Sequence, residues 1–258
     1  QDYGPDLPLF ASDGRRQIRG KIACATCHEP HRWEPAGGSG SDTPAATSFL
    51  RLAADGYAPL CFPCHADKSM VVGTDHDLRV TAPRAVNLAG ETAEASGVCG
   101  ACHAVHRAPG KLALWNRRYG EGWDERSRIC LGCHRPDNDQ GARVLPRTET
   151  HQVNYPGRGQ VNRLFTPARG GAAGKKDIVL FAEDGSRAEN GYLSCASCHD
   201  VHRWEPDVSS SGSGVPVEGD VANSFLRVPP AALERTLCAD CHGATLDFYR
   251  TYHFPEGK

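Results

Sequence analysis

The chain has 258 residues, of which only 39% are hydrophobic, and it contains 28 Gly, 18 Pro, 12 Cys and 12 His. Its formal charge of −2 argues against an extended nucleic-acid-binding surface. The longest apolar run, residues 178–182, is far shorter than the roughly 20 residues that cross a bilayer, so we predict no membrane span. The low apolar content predicts a thin protein core whose interior is filled partly by another group.

The predicted secondary structure is sparse. A short apolar run, an Asp-Gly turn and a second short run predict small β-hairpins around residues 13–14 and 184–185. Residues 124–134 favour a short helix, and a second helix is predicted to begin at the proline pair 229–230. We expect most of the remaining chain to be irregular, so the fold class is mostly loop with short helices and small hairpins.

The cysteines define the chemistry. All twelve fall in six Cys-x-x-Cys-His motifs. In this motif two thiols add to the vinyl groups of one haem, and the adjacent His reaches the iron from the same turn. Zinc sites and disulfides also use paired cysteines, but neither requires a His directly after the second Cys. The motifs therefore predict six covalent c-type haems, attached through Cys24, Cys27, Cys61, Cys64, Cys99, Cys102, Cys130, Cys133, Cys195, Cys198, Cys238 and Cys241, with iron ligands His28, His65, His103, His134, His199 and His242.

The other six histidines match the haems in number. Three lie three residues after a motif His, and three follow the second, fourth and sixth motifs by 11, 17 and 11 residues. One additional ligand is thus available for each iron, which predicts bis-His coordination by His31, His76, His106, His151, His202 and His253. Met70, the only methionine, and the lysines are alternative sixth ligands that no repeat requires.

The short spacing constrains which iron each additional His can bind. Two His residues on opposite faces of one iron have Cα atoms roughly 12–13 Å apart, given metal–nitrogen bonds of about 2 Å. Three residues of extended chain span at most about 11 Å, so His31 is expected to bind a different haem from His28. The two haems must then lie close together. The simplest hypothesis exchanges ligands within each pair of motifs, so that His31 caps the haem of His65 and His76 caps that of His28.

The motif pairs belong to a longer repeat. The segments 9–35 and 180–206 both begin with LFA, contain an Asp-Gly pair and end with HRWEP, and each is followed by SFLR before the next motif. A more divergent middle copy reads GVCGACHAVHRAP and then ALWNR. These repeats predict three dihaem modules, 1–80, 81–160 and 161–258. With 258 residues for six haems, we expect one continuous domain whose core is the haem stack.

An arginine directly follows the additional His in the first motif of each module. Arg suits bidentate contacts to carboxylates, so we interpret these residues as partners of haem propionates. Ordinary surface charge is the alternative. The residues are Arg32, Arg107 and Arg203.

The chain begins at Gln1 without a leader, which indicates a mature exported product. Twelve cysteines also fit an extracytoplasmic protein better than a cytosolic one. The doubled motifs, with a CxxCHxxH variant opening each module, resemble the multihaem cytochromes of metal- and electrode-reducing bacteria over the whole chain. This resemblance favours an extracellular location, with the periplasm as the alternative. It also implies self-association into filaments, in which a His near a terminus, such as His253, binds a haem of the next subunit.

Irons with two His ligands have no open coordination site, so we expect electron transfer, with no catalytic residues. The expected partners are redox proteins or extracellular acceptors. The conduit is either a filament or a soluble or outer-membrane-complex carrier. A multihaem reductase would need an iron with an open position, against which the 12 His for 12 axial positions argue. A haem-rich scaffold that binds minerals or partners is a third alternative.

Overall fold

The structure is a computed structural model that describes residues 3–31, 49–52, 58–110, 112–121, 124–135, 137–138, 178–189, 191–203 and 225–228. The chain forms two compact units. The first comprises Gln1–Ser69 and Leu78–Cys102, and the second comprises Met70–Asp77 and His103–Lys258. Over the described residues the chain is rich in loops and has short helices and a two-stranded sheet. That haems form the core, and that the sequence divides into three dihaem modules, remain predictions.

The first unit contains helices α1, α2, α3 and α4, at Cys24–Cys27, Ala58–Cys61, Leu78–Thr81 and Ala93–Gly100. A 3₁₀ helix, Ala66–Val71, follows α2. Helix α4 is preceded by its N-cap Thr92, whose side chain accepts a hydrogen bond from the Ala95 N–H at 3.3 Å. It is kinked at Gly97, whose φ of 75° is unfavourable for other residues. Because α2 and α3 both pack on α4, this helix organises the unit.

The second unit contains α5 (Glu125–Leu131), strands β1 (Leu180–Phe181) and β2 (Arg187–Ala188), and α6 (Cys195–Cys198). Helix α5 lies within the segment predicted to be helical and packs on α6. Its N-cap is the fully buried Asp124, whose carboxylate accepts from the Ser127 N–H at 2.8 Å. The helix predicted from the proline pair 229–230 lies outside the described residues.

Of the two predicted hairpins, the one at residues 184–185 has paired strands, and the one at residues 13–14 is a similar turn with isolated bridges only. Strands β1 and β2 pair antiparallel around the Asp184-Gly185 turn, with Phe181 opposite Arg187. In the corresponding turn at residues 13–14, Phe10 forms an isolated bridge to Arg16. Each turn glycine has a positive φ, and the preceding aspartate accepts a hydrogen bond from the second residue after it.

A third copy of this turn precedes the third motif, where the sequence pattern gave no prediction of a hairpin. Val86 bridges to Thr92, and Gly90 has a φ of 86°. Here Asn87 replaces the aspartate, because its Oδ1 accepts from the Glu91 N–H at 3.0 Å. The same turn therefore leads into the first motif of each predicted module.

Apolar burial is limited in the described residues. The buried hydrophobic side chains of the first unit are Leu7, Ala93, Val98 and Ala101. Those of the second unit are Val71, Leu131, Leu180, Phe181, Leu193 and Phe225. Many of the remaining buried residues are polar, including Ser127, Ser194 and Ser197 beside the α5–α6 contact.

Candidate haem-binding sites

Five of the six motifs lie in the described residues. The first and fifth coincide with α1 and α6, and in the other three a helix ends within the motif and a turn follows. In four of the five described motifs the His N–H donates to the carbonyl of the first Cys, at 2.9 Å for His28, His65 and His134 and 3.0 Å for His199. In the third motif the Cys102 N–H donates to the Cys99 carbonyl at 3.1 Å. Such a turn brings two thiols and an imidazole together, as covalent haem attachment requires. The sixth motif, with Cys238, Cys241 and His242, lies outside the described residues.

The thiols of successive motifs meet in two places. In the first unit the Cys61 and Cys99 side chains are hydrogen-bonded, and this bond together with burial raises the pKa of Cys61. In the second unit a hydrogen bond to Cys195, together with burial, raises the pKa of Cys130. All ten described cysteines are free thiols. The attachment point of motif two thus lies beside that of motif three, and the attachment point of motif four beside that of motif five.

A carboxylate next to the first motif holds the additional His. Glu29 directly follows His28, and its Oε1 accepts from Nδ1 of His31 at 2.9 Å. Its other oxygen pairs with Arg51 Nη2 at 2.9 Å, while Arg51 Nε donates to the Ala25 carbonyl at 2.7 Å. The His31 hydrogen bond lowers the pKa of Glu29. We call this carboxylate, its histidine and its arginine a clasp.

The fifth motif has the same clasp. Asp200 Oδ1 accepts from His202 Nδ1 at 3.1 Å, and its Oδ2 pairs with Arg227 Nη1 at 3.3 Å. Arg227 Nε donates to the Ala196 carbonyl at 2.6 Å. Burial alone would raise the pKa of Asp200, but the His202 hydrogen bonds and the Arg227 charge lower it well below its usual range. Since a carboxylate can only accept, Nδ1 carries the proton and the ring lone pair is on Nε2.

The third motif keeps the backbone of the clasp without its charges. The Ala104 N–H donates to the Leu114 carbonyl at 2.9 Å, as Glu29 does to Phe49 and Asp200 to Phe225, both at 2.7 Å. Alanine therefore replaces the carboxylate, and Asn116 stands where the other loops have arginine. In this loop it is the motif residue His103 whose Nδ1 donates, to the Ala113 carbonyl at 2.7 Å.

Two pairs of imidazoles lie close together in the second unit. The ring centroids of His103 and His202 are 6.2 Å apart, with 22° between the ring planes. Those of His76 and His134 are 6.0 Å apart, with 48° between the planes. Nδ1 of His76 is buried and has no hydrogen-bond partner among the described residues, and burial lowers the pKa of this His to about 3. All four rings are in the second unit.

The remaining predicted site residues divide into exposed and undescribed ones. His31, with a side chain 92% exposed, and His106 and Arg107 face solvent. Arg203 is exposed and donates to the Arg227 carbonyl at 2.6 Å. Arg32, His151 and His253 lie outside the described residues, so their predicted roles remain predictions.

Sequence reasoning missed the clasps, although their signal is visible. An acidic residue directly follows the motif His in CHEPH and CHDVH, and SFLR recurs before the next motif in the same two modules. Both halves are absent from the middle module, where the chain reads CHAVH and ALWNR. This joint replacement indicates that the carboxylate and the arginine act together.

The described residues offer motif thiols and paired imidazoles, which are the donor types that a c-type haem would use. No group of three or more His, Cys, Asp or Glu that could hold a metal ion occurs within the described ranges. Nδ1 of His103 and of His202 is hydrogen-bonded to a protein acceptor, which leaves Nε2 of each available to a metal. Nδ1 of His76 has no such partner among the described residues. Every helix in the described part of the chain falls short of the length and apolarity that a membrane crossing requires.

No protein-family model, no curated protein and no solved structure matches this chain.

Proposed function

We propose that this chain is a hexahaem c-type cytochrome that conducts electrons and catalyses no bond chemistry. The observation that carries this proposal is the match of six Cys-x-x-Cys-His motifs to twelve histidines. Each haem, when bound, supplies a one-electron iron couple. The chain attaches the cofactors through its thiols and provides two imidazoles for every iron, which leaves no coordination site for a substrate.

The contacts between thiols of successive motifs support a path that continues from one module to the next. Cys61 belongs to the predicted first module and Cys99 to the second, and their side chains are hydrogen-bonded. Cys130 and Cys195 connect the second and third modules in the same way. Thioethers formed at these cysteines would bring the edges of neighbouring porphyrins together, and close edges favour electron exchange.

Haem counting tests this proposal directly. The chain is secreted from a host with a c-type maturation system, and its haems are counted by intact mass and by the pyridine haemochrome spectrum. We expect six haems and, in the oxidised protein, low-spin iron without a high-spin ferric signal. A matched variant, Cys61→Ala with Cys64→Ala, should carry five. Zinc, fewer than six haems in the unsubstituted chain, or a high-spin haem would overturn the proposal.

We further propose that the protein acts outside the cytoplasm, with the cell exterior favoured over the periplasm. The resemblance to the cytochromes of metal-reducing bacteria supports self-association into a filament. Its partners are then a reduced redox protein as donor and an extracellular acceptor. The alternative is a soluble periplasmic carrier or a component of an outer-membrane complex. Negative-stain microscopy of the secreted, haem-loaded protein separates these roles, since monodisperse particles alone would exclude the filament.

A further inference from the structure

Each of two close imidazole pairs in the second unit joins a predicted additional His to the His of a motif in another predicted module. We infer that His202 and His103 bind one iron from opposite faces, and that His76 and His134 bind another in the same way. This inference rests on the proposed function, because it concerns the ligands of haems that the motifs imply. It assigns both haems of the middle module to ligands from the flanking modules.

The separation of the rings supports this pairing. Two imidazoles on opposite faces of one iron have centroids about 6 Å apart, from two metal–nitrogen bonds of about 2 Å and a ring radius of about 1 Å each. The observed separations are 6.2 Å for His103–His202 and 6.0 Å for His76–His134. Rings in a face-to-face sandwich would be only about 3.5–4 Å apart. Offset or tilted aromatic contacts span about 4.5–7 Å, so the pairing also depends on the contacts that orient each ring. Because a ring can rotate about its iron–nitrogen bond, interplanar angles of 22° and 48° are equally compatible.

The hydrogen bonds of the first pair give both rings the required tautomer. His103 Nδ1 donates to the Ala113 carbonyl at 2.7 Å, and His202 Nδ1 donates to Asp200 Oδ1 at 3.1 Å. Neither acceptor can donate, so both lone pairs are on Nε2, the nitrogen farther from the backbone. Protein acceptors on Nδ1 are the usual means by which a metal-binding His is oriented.

The second pair is held by packing. His76 makes an edge-on contact to Phe225, with the ring centroids 4.4 Å apart. Phe225 is itself buried, so the orientation of the His76 ring is restricted on that side. The centroid of the His76 ring lies 6.0 Å from that of His134, the histidine of the fourth motif.

This pairing differs from the exchange within modules that sequence spacing suggested. In that scheme His202 caps the haem of His242, and His76 caps the haem of His28. In the structure His202 is beside His103, and His76 is beside His134. The first and third modules would then each provide an iron ligand to a haem of the middle module. Removal of His76 or His202 would therefore affect a haem attached to a different module.

Methionine substitution combined with haem deletion tests the first pair. His202→Met in the full haem-loaded chain should convert one of six haems to His/Met ligation, seen as a thioether charge-transfer band and a raised potential. The same substitution in a chain lacking the third haem (Cys99→Ala with Cys102→Ala) should give no such band. In a chain lacking the first haem (Cys24→Ala with Cys27→Ala) the band should persist. A band that survives loss of the third haem would overturn the pairing.

The second pair has the matching test. His76→Met should give a thioether band that disappears when the fourth haem is removed by Cys130→Ala with Cys133→Ala. If any variant fails to mature, a density map of the unsubstituted haem-loaded protein decides, since each imidazole can be traced to its iron. His202 or His76 on another haem would end the proposal. Six low-spin haems with different pairing would refute only this inference, whereas a missing haem would refute the proposed function.

Discussion

The loops beside the first, third and fifth motifs have the same backbone conformation. The loops beside the first and fifth also carry charged side chains that the third lacks. In all three the motif His forms an isolated bridge, His28 to Leu50, His199 to Leu226 and His103 to Trp115. The residue before each bridge partner has a positive φ, 63° at Phe49, 55° at Phe225 and 55° at Leu114. The carboxylate and arginine are present in the first and fifth and absent from the third.

This difference shows that the backbone conformation of the loop does not depend on the clasp. The bridge and the left-handed residue position the loop next to the motif without help from charged side chains. The clasp then orients the additional His three residues after the motif. A half-buried carboxylate without its arginine would be unfavourable, and so would the arginine alone, which explains why the middle loop lacks both.

The largest expected effect comes from breaking the clasp of the fifth motif with Arg227→Ala. The arginine side chain is 13% exposed, and its loss leaves Asp200 and the Ala196 carbonyl without these contacts. We expect the free energy of unfolding of the haem-loaded protein to fall by about 2–4 kcal/mol, measured by denaturant titration. Arg84→Ala, at an exposed arginine of the predicted middle module, should cost less than about 0.5 kcal/mol. Equal losses would show that the clasp adds nothing to stability.

The next effect is on redox potential. Asp200→Asn keeps the shape of the side chain but removes a charge that, under the proposed ligation, would make the His202 ring a stronger donor to ferric iron. If the preference for ferric over ferrous iron falls tenfold, the potential of the haem that His202 binds rises by about 60 mV. Spectroelectrochemical titration of the six-haem protein would resolve the shift, with Asp184→Asn, in an exposed turn, as control. A downward shift, or one of the same size in the control, would contradict this role.

The reverse experiment introduces a clasp into the loop beside the third motif. Ala104→Asp with Asn116→Arg should lower the potential of the haem that His106 binds, and the same titration measures it. We expect about 15–60 mV, because solvent around the exposed His106 can weaken a charge interaction up to about fourfold. Ala104→Asp alone should instead destabilise the protein, since its carboxylate lacks the arginine. A double variant no different from the unsubstituted chain would mean that the loops differ in more than charge.

The sequence predicted most of the local structure that these loops rest on. The hairpins at residues 13–14 and 184–185 and the helix within 124–134 were predictable, because turn glycines and capping residues act through adjacent backbone groups. The turn before the third motif was not, since Asn87 supplies from the first turn position the acceptor that aspartate supplies elsewhere from the third. The N–H group that donates to this acceptor is at the same turn position in each case, but a search for Asp-Gly pairs does not find a turn in which Asn87 is the acceptor.

The candidate sites divide in the same way. The cysteine and histidine assignments follow from the spacing of residues within each Cys-x-x-Cys-His motif. The clasps join residues that are 22 and 27 positions apart in sequence, Glu29 with Arg51 and Asp200 with Arg227. They form only if the following loop brings its arginine back beside the motif. The proximity of His103 and His202 depends on contacts across 99 residues of sequence, which spacing arguments restricted to neighbouring motifs do not capture.

The smallest expected effect is at the first clasp, where the same charge acts in water. Glu29 accepts from His31 at 2.9 Å, a shorter contact than that of Asp200, yet the His31 side chain is 92% exposed against 27% for His202. An effective dielectric constant of about 80 instead of about 20 weakens the interaction about fourfold, so Glu29→Gln should raise the potential of the haem that His31 binds by only about 15 mV. Raising the salt concentration should diminish this shift more than the Asp200→Asn shift, because exposed charges are screened more strongly. If Glu29→Gln shifted the potential as much as Asp200→Asn at every salt concentration, exposure would not be what distinguishes the two clasps, and a second group near His31 would have to shield it from water.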